Sequence, residues 1–218
     1  MKRLWQGVAR QFAVGMLVLV VCTVILGGAY PAAVWVLSRA TTHTAEGTVV
    51  RDAGGCAAGS ALIGVDLRVP AGQPDGFLHG RVAGGSDDPM APGRPEASGP
   101  SNLGPSSTAL RRLVDARRAA IAHREGTTPD RVPPDAVAGS GSGLDPHISP
   151  AYATLQIPRL ARVNHVDEAR VRAIIARHTE GRQWGFLGSP RVDVLQVNLA
   201  LGHRAPGCAA PPARPAGG

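Results

Sequence analysis

The most constraining feature of this sequence is an uncharged stretch of 26 residues at positions 12–37. As a helix it would be about 39 Å long, whereas the hydrocarbon core of a bilayer is about 30 Å thick. Trp5 precedes the stretch, and Tyr30 and Trp35 lie near its far end, as is typical of interfacial aromatic residues. The stretch therefore predicts one transmembrane helix, with Pro31 tolerated where the helix leaves the lipid.

Basic residues are more frequent before this span than after it. Positive charge favours the cytoplasmic side of a membrane. We therefore expect residues 1–11 in the cytoplasm and residues 40–202 outside it as a soluble domain. The basic residues that decide this are Lys2, Arg3 and Arg10 before the span, against Arg39 and Arg51 after it.

Two other interpretations of the apolar stretch stay open. Small residues at 27–29 are compatible with a cleaved secretory signal, although the stretch exceeds the usual signal core of 7–15 residues. A buried core helix is the other alternative. Within the span, Gly15, Thr23 and Gly27 share one helical face. Small residues on one face predict contact with a partner helix. The alternative is that they reflect only the glycine content common in membrane helices.

The rest of the chain has the composition of one loop-rich domain. Glycine and proline together number 47 (28 and 19), and only 4% of residues are aromatic, which favours a modest core and an α+β fold. The net charge of +7 is dispersed along the chain. It therefore favours a solvated basic surface and no nucleic-acid partner.

The three cysteines have no metal-binding spacing. Cys22 lies inside the predicted span, while Cys56 and Cys208 would lie outside, where a disulfide is chemically allowed. They are 152 positions apart, and the sequence leaves their pairing open.

Short apolar runs between glycines predict strands early in the domain. Residues 48–50 and 60–65 are expected as strands, whereas residues 83–106 are rich in Gly, Pro, Ser and Asp and predict a long loop. A helix is expected from the serine pair at 106–107 to Gly126.

Two more helices are predicted from capping residues. Ser149 and Pro150 can begin a helix that Pro158 should kink or break. Asp167 can cap the next helix, which Gly181 should close.

The C-terminal part predicts a strand followed by disorder. Residues 191–199 alternate between apolar and polar with one slip at Val194–Leu195, which predicts a bulged strand. Residues 203–218 consist mainly of Pro, Ala, Gly and Arg and are expected to be disordered.

No catalytic or metal-binding motif is found. The Gly/Ser run at 139–143 lacks a serine at the centre of a nucleophile elbow, and the only lysine is Lys2, so the run is no phosphate loop. Asp145 and His147 lack companion metal ligands and predict a turn. His79 lies in a turn with no carboxylate partner evident nearby, which favours a structural role.

Six segments in order resemble a known family. They are residues 60–64, 77–81, 98–104, 142–150, 156–161 and 191–201. Together with the single span, residues 8–202 resemble the C subunit of the Kdp high-affinity potassium-transporting ATPase. The matching motif positions are Ser60, Gly64, His79, Gly80, Arg81, Ser101, Asn102, Leu103, Gly143, Leu144, Asp145, Pro146, His147, Ser149, Pro150 and Asn198.

The resemblance implies a non-catalytic accessory subunit in the inner membrane. Its partners would be a channel-like potassium subunit, a P-type ATPase subunit and the lipid bilayer. The family is also described as a catalytic chaperone that raises the ATP affinity of the pump subunit, with ATP as a possible shared ligand. The nucleotide-related candidates are Ser140, Ser142, Asp145 and Gln156. An extracytoplasmic domain could not meet cytoplasmic ATP, so a steric or assembly role at the outer mouth of the channel fits the chain better.

The sequence departs from the family pattern at three positions. Val65 stands where the family usually has glutamine, and Val82 where it usually has proline. Pro100 replaces a glycine, which restricts the backbone there.

Two functions of other classes stay open beside the accessory subunit. The helices near 150–163 and 167–180 could imitate the helix-turn-helix of a membrane-tethered DNA-binding regulator. A secreted hydrolase that uses His79 and Ser142 is the other alternative.

Overall fold

A computed structural model describes residues 2–64, 66–70, 72–83 and 88–205. The chain forms two compact units, one that ends at Thr48 and one that begins at Val49. Both the long apolar N-terminal helix and the α+β class of the second unit confirm the predicted fold class.

The first unit is almost entirely helical. Helix α1 (Lys2–Val24) continues through a π-helical turn (Ile25–Ala29) into α2 (Tyr30–Ser38). A 3₁₀ turn (Arg39–Thr41) and α3 (Thr42–Ala45) complete it. The run from Trp5 to Ala45 is long and apolar enough to cross a membrane, and the most apolar part is not buried by the protein.

Pro31 gives the π-helical turn a physical reason. Proline has no N–H to donate to the carbonyl of residue 27, and the wider turn just before it lets the Tyr30 N–H donate to the Ile25 carbonyl. The helix therefore continues past Pro31.

The described part of the second unit contains two small antiparallel sheets. Strands β1 (Val49–Arg51) and β2 (Ala57–Ser60) form one hairpin with a bulge. The other sheet has the order β3 (His147–Ile148), β5 (Arg191–Asp193), β4 (Thr179–Glu180), with both pairs antiparallel.

The helices of the second unit pack around one apolar core. They are α4 (Thr108–Glu125), a 3₁₀ turn (Pro129–Arg131), α5 (Pro134–Val137), α6 (Pro150–Asn164), α7 (Glu168–Arg177) and α8 (Val194–Ala200). Ile121, Tyr152, Leu160 and Val197 are among the core side chains that are almost completely buried.

The predicted helix starts are confirmed. Ser107 caps α4 by accepting from the Leu110 N–H, and Gly126 ends it in the left-handed conformation. Ser149 caps α6 by accepting from the Tyr152 N–H, and Asp167 occupies the N-cap position of α7.

Helix α6 is not broken at Pro158, which lies on its exposed side, and it continues to Asn164, so of the predicted kink or break only the break is wrong. Three boundary predictions are wrong. Strand β2 ends at Ser60, so residues 61–64 of the strand predicted at 60–65 lie outside it. Helix α7 ends at Arg177 instead of Gly181, because residues 179–180 pair with β5.

The third wrong boundary is that of the strand predicted at 191–199. It is a strand only to Asp193, whose side chain then caps α8 by accepting from the Gln196 N–H. The slip at Val194–Leu195 marks this change, because Val194, Val197 and Leu201 recur at helical spacing.

The predicted long loop contains neither helix nor strand over the part of it that is described, residues 83 and 88–106.

At the C-terminal end of the domain, His203 stacks on Phe77 with ring centroids 4.1 Å apart, and Ala205 is buried. The ordered domain thus reaches Ala205. The rest of the predicted tail lies outside the described residues.

Candidate functional site

A segment without helical or sheet structure crosses the core of the domain. This central segment (residues 76–83) contains Leu78 and His79, which are 1% and 4% exposed, and its only ladder contact is an isolated bridge between Ala83 and Ser140. Buried backbone N–H and C=O groups need hydrogen-bond partners. The segment obtains them mainly from side chains.

Two side-chain amides bind the middle of the central segment. The Asn198 Oδ1 accepts from the Leu78 N–H at 2.7 Å, and its Nδ2 donates to the Leu78 carbonyl at 2.9 Å. The Gln156 Oε1 accepts from the His79 N–H at 2.9 Å, and its Nε2 donates to the His79 carbonyl at 3.1 Å. Each amide thus makes, to one residue, the two backbone hydrogen bonds that a neighbouring strand would otherwise make.

Other side chains satisfy the ends of the central segment. Arg159 donates to the Phe77 carbonyl at 3.0 Å, and Asp66 accepts from the Gly80 N–H at 2.8 Å. Further along, Arg117 donates to the Ala83 carbonyl at 3.2 Å. The segment is therefore held by elements distant in sequence.

His79 lies between two carboxylates. Its Nδ1 is 3.0 Å from Asp66 Oδ2, and its Nε2 is 2.6 Å from Asp75 Oδ2. Because ionised carboxylates only accept, this arrangement suits a ring that carries protons on both nitrogens. Burial by itself would lower the pKa of His79, but the charge and hydrogen bonds of Asp66 and the hydrogen bond to Asp75 raise it above its ordinary value. The two carboxylates therefore stabilise the protonated form of the buried His79 ring.

The charges continue from Asp75 into helices α4 and α6. Burial would raise the pKa of Asp75, but His79 and Arg159 lower it to about 2. Arg159 Nε lies 3.0 Å from Glu125 Oε2, and Arg124 Nε lies 2.7 Å from the other oxygen of Glu125. These alternating charges form the charge network, which consists of Asp66, His79, Asp75, Arg159, Glu125 and Arg124.

The predicted nucleotide-related residues are bound within the protein. Ser140 is 1% exposed, and its Oγ accepts from the Gly143 and Asp145 N–H groups and lies 3.1 Å from the Ser142 Oγ. Asp145 pairs with Arg81 at 2.9 Å. Gln156 is completely buried against the central segment. The four side chains thus support the turn at 139–145 and the central segment.

Glycines bring separate motif segments into contact at this turn. The Gly64 N–H donates to the Leu144 carbonyl at 2.8 Å, and a Cβ on Gly64 would lie 2.3 Å from the Asp145 carbonyl oxygen. The Gly99 N–H donates to the Ser142 carbonyl at 2.8 Å. The close approach explains why residue 64 has no side chain.

A cleft of about 400 Å³ opens beside these contacts. Ile63, Leu67 and Leu195 contribute apolar walls. Its charged and amide side chains already have partners within the chain, so the cleft suits an apolar group better than an ion. Those side chains are Asp66, Arg81, Asp145 and Asn198.

Most motif positions meet around the central segment and the cleft, but not all do. Seven motif residues line the cleft, namely Ser60, Gly64, Gly80, Arg81, Asp145, Pro146 and Asn198. Ser149 and Pro150 begin α6. Asn102 is exposed in a left-handed conformation between Ser101 and Leu103, outside the cleft. His147 accompanies Asp145, whose carboxylate accepts from its N–H.

The sequence interpretation missed the partners of His79. Asp75 lies four residues before it and Asp66 thirteen, so the expectation that no carboxylate lies nearby was wrong. A structural role for His79 agrees with its burial. The i, i+4 spacing of Asp75 and His79 was the available signal, while nothing in the sequence indicated Arg159 or Glu125.

The remaining predicted positions fall outside this site. Gly15, Thr23 and Gly27 are exposed on the first unit, and the π-helical turn begins between the last two. Pro100 is exposed beside Gly99, which makes the contact with the 139–145 turn, and Val82 is buried with its carbonyl accepting from Ser140. Val65 lies outside the described residues.

Among the cysteines, Cys22 is free and Cys56 is in a disulfide. Cys208 lies outside the described residues.

Comparison with known proteins gives a consistent result. The family model described as "KdpC: K+-transporting ATPase, c chain" matches residues 12–203. A Potassium-transporting ATPase KdpC subunit of Kineococcus radiotolerans is 46% identical over 197 residues, which cover 90% of this chain and 95% of the relative. The subunits of the same name from Sorangium cellulosum and Geobacter sulfurreducens are 44% and 40% identical, each over 85% of this chain and 94% of the relative.

Proposed function

This chain belongs to the KdpC family, the C subunits of K⁺-transporting ATPases, and we propose that it anchors an extracytoplasmic domain which holds a channel-like potassium subunit and a P-type ATPase subunit together. The observation that carries this proposal is that the family match covers the apolar helix and the folded domain as one unit, residues 12–203. Its role is accessory and not catalytic.

The construction of the domain supports an assembly role. Most of its motif residues make intramolecular contacts that hold the central segment and the walls of the cleft. A preformed apolar cleft can accept a partner's side chain without reorganisation. The domain therefore has the rigidity expected of a part that stabilises larger subunits at the outer mouth of the channel.

Affinity purification from the cell membrane tests the assembly. The tagged full chain in mild detergent should recover a P-type ATPase and a multi-span potassium subunit in a fixed ratio. Deletion of residues 1–37 should abolish this recovery and growth at micromolar potassium. Recovery of the full chain alone, from cells that express both partners, would refute the proposal.

The extracytoplasmic orientation is a separate part of the proposal. The excess of basic residues before the span supports it, as does the disulfide at Cys56, because such bonds persist in oxidising compartments. A reporter enzyme that is active only outside the membrane, fused after Leu201, should be active. Activity of a cytoplasmic reporter at this position would contradict it.

We also propose that any effect on the pump's ATP affinity is transmitted through the assembly, without nucleotide contact by this chain. The buried bonds of Ser140 and Gln156 support this. A fluorescent ATP analogue should not bind the purified chain, whereas removal of the chain should raise the ATP concentration that the pump needs. Saturable binding of the analogue to the purified chain would contradict this proposal.

The alternative of a DNA-binding regulator gains no support. Helix α6 buries Tyr152, Gln156, Arg159 and Leu160, so its face is occupied by the domain core. An active extracytoplasmic reporter would exclude this function as well.

A further inference from the structure

An exposed apolar loop stands out on the second unit. Between strands β4 and β5, this aromatic loop (residues 182–188) exposes Trp184, Phe186 and Leu187 by 84%, 68% and 42%. Large exposed apolar side chains grouped on one loop indicate an interaction surface. None of these residues lines the cleft.

The loop is rigidly built. Gln183 and Leu187 exchange two backbone hydrogen bonds, each of 2.9 Å. The Arg182 guanidinium donates to the Gly188 carbonyl at 2.7 Å and closes the base.

Trp184 has a φ of +50°, a left-handed conformation that is uncommon for a large residue. Such a conformation persists where the surrounding structure enforces it, and it is a reason to look for function. Here it projects the indole into solvent.

The charge around the loop is predominantly positive. The hairpin from Arg177 to Arg191 contains three arginines and one glutamate. Glu180 pairs with Arg191, while Arg177 and Arg182 are exposed. Aromatic residues beside exposed arginines suit a bilayer surface, where the rings enter the interface and the guanidinium groups meet anionic headgroups.

The chain tethers the domain to the predicted span. Eleven residues, 38–48, lie between the span and β1, and fully extended they would reach at most about 40 Å. A short tether raises the effective concentration of a second contact, so that a weak contact suffices.

We propose that the aromatic loop inserts Trp184, Phe186 and Leu187 into the surface of an anionic phospholipid bilayer, the same membrane that holds the N-terminal helix. The contact fixes the domain's orientation on the membrane. The proposal rests on the N-terminal helix spanning that membrane and does not depend on assembly with other subunits.

Tryptophan quenching by brominated lipids tests this contact. The chain has three tryptophans, at positions 5, 35 and 184, so Trp5→Phe with Trp35→Phe leaves Trp184 as the only tryptophan, which can be excited without its tyrosines. The full chain is placed in nanodiscs of phosphatidylglycerol with and without brominated acyl chains. We expect bromination to reduce Trp184 fluorescence roughly twofold, less so in phosphatidylcholine and at high salt.

Two control variants sharpen the result. A chain that retains only Trp35 reports insertion of the helix itself. The charge reversal Arg177→Glu should weaken the quenching of Trp184, whereas Arg112→Glu on the exposed side of α4 should leave it unchanged.

Three outcomes would overturn the proposal. Quenching of Trp35 without quenching of Trp184 would place the loop away from lipid. A blue shift of Trp184 only after the other pump subunits are added, still without quenching, would make its partner a protein. Absence of quenching at Trp35 would refute the anchor and the loop contact together, while co-purification with the pump would remain a separate test of assembly.

Discussion

The N-terminal helix and the central segment solve the same physical problem in opposite ways. The central segment places backbone N–H and C=O groups in the apolar core, and the N-terminal helix, as a candidate membrane span, would place them in lipid. Unpaired groups are costly in both environments. The helix pairs them within a few residues, as with the Tyr30 N–H and the Ile25 carbonyl. The central segment pairs Leu78 with Asn198, 120 positions away.

The difference predicts how each region fails. A change in the helix should stay local, because each bond depends on its neighbours along the chain. A change in the partners of the central segment should affect the whole domain, because buried groups lose their partners on several elements.

Replacement of Arg159 with leucine should have the largest effect. It removes one cationic partner from Asp75 and from Glu125, which keep His79 and Arg124, and it removes a donor to the Phe77 carbonyl. Breaking a buried ion pair typically costs about 3–5 kcal/mol. Urea unfolding of the full chain in detergent, followed by near-ultraviolet circular dichroism, measures the loss. Arg162→Leu, on the exposed side of the same helix, is the matched control.

If the two variants unfold at the same urea concentration, the charge network does not stabilise the domain.

Gln156→Leu should be the next most damaging change. The His79 N–H and carbonyl would lose their partner while buried, which costs about 2–3 kcal/mol. Its combination with Asn198→Leu should cost less than the sum of the two, because the first change already releases the central segment. Strict additivity would mean that the two amides act independently.

These two regions also explain what could be predicted from the sequence. The long apolar helix, the α+β class and the caps at Ser107 and Ser149 depend on nearby residues and are confirmed. The central segment depends on pairings across the chain that no local pattern encodes. For the same reason Gln156 was proposed for nucleotide when its amide is buried against His79.

The strand predicted at 191–199 failed for a related reason. Three residues do form a strand, but Asp193 caps a helix at the point where the alternation slips. A slip of phase is compatible with a bulge or with a new helix. Packing of Val194 and Val197 into the core decides between them.

The pH dependence of unfolding tests the protonation of the buried His79 ring. Because the pKa of His79 is raised in the folded state, its stabilisation is complete below about pH 6.5, the ordinary pKa of histidine, and is lost as the pH rises through the folded-state pKa. Asp75, with a pKa of about 2, acts in the opposite sense and loses its contribution as the pH falls through about 2. The urea midpoint should therefore decrease as the pH rises from about 6.5 through the raised pKa of His79.

In His79→Gln the decrease of the urea midpoint at alkaline pH should be much smaller. The overall stability of this variant should also be lower. An unchanged alkaline decrease in the variant would assign the effect to another group.

Pro31→Ala should have the smallest effect on the domain. Alanine restores the N–H that proline lacks and removes the reason for the π-helical turn at residues 25–29. We expect slower amide exchange around this turn and a change within about 0.5 kcal/mol in the unfolding of the domain. Hydrogen exchange in nanodiscs measures the first and urea unfolding the second. A larger change in domain unfolding would show that the helix and the domain depend on each other. The contrast between local pairing in the helix and distant pairing in the domain would then not explain how each unit responds to a mutation.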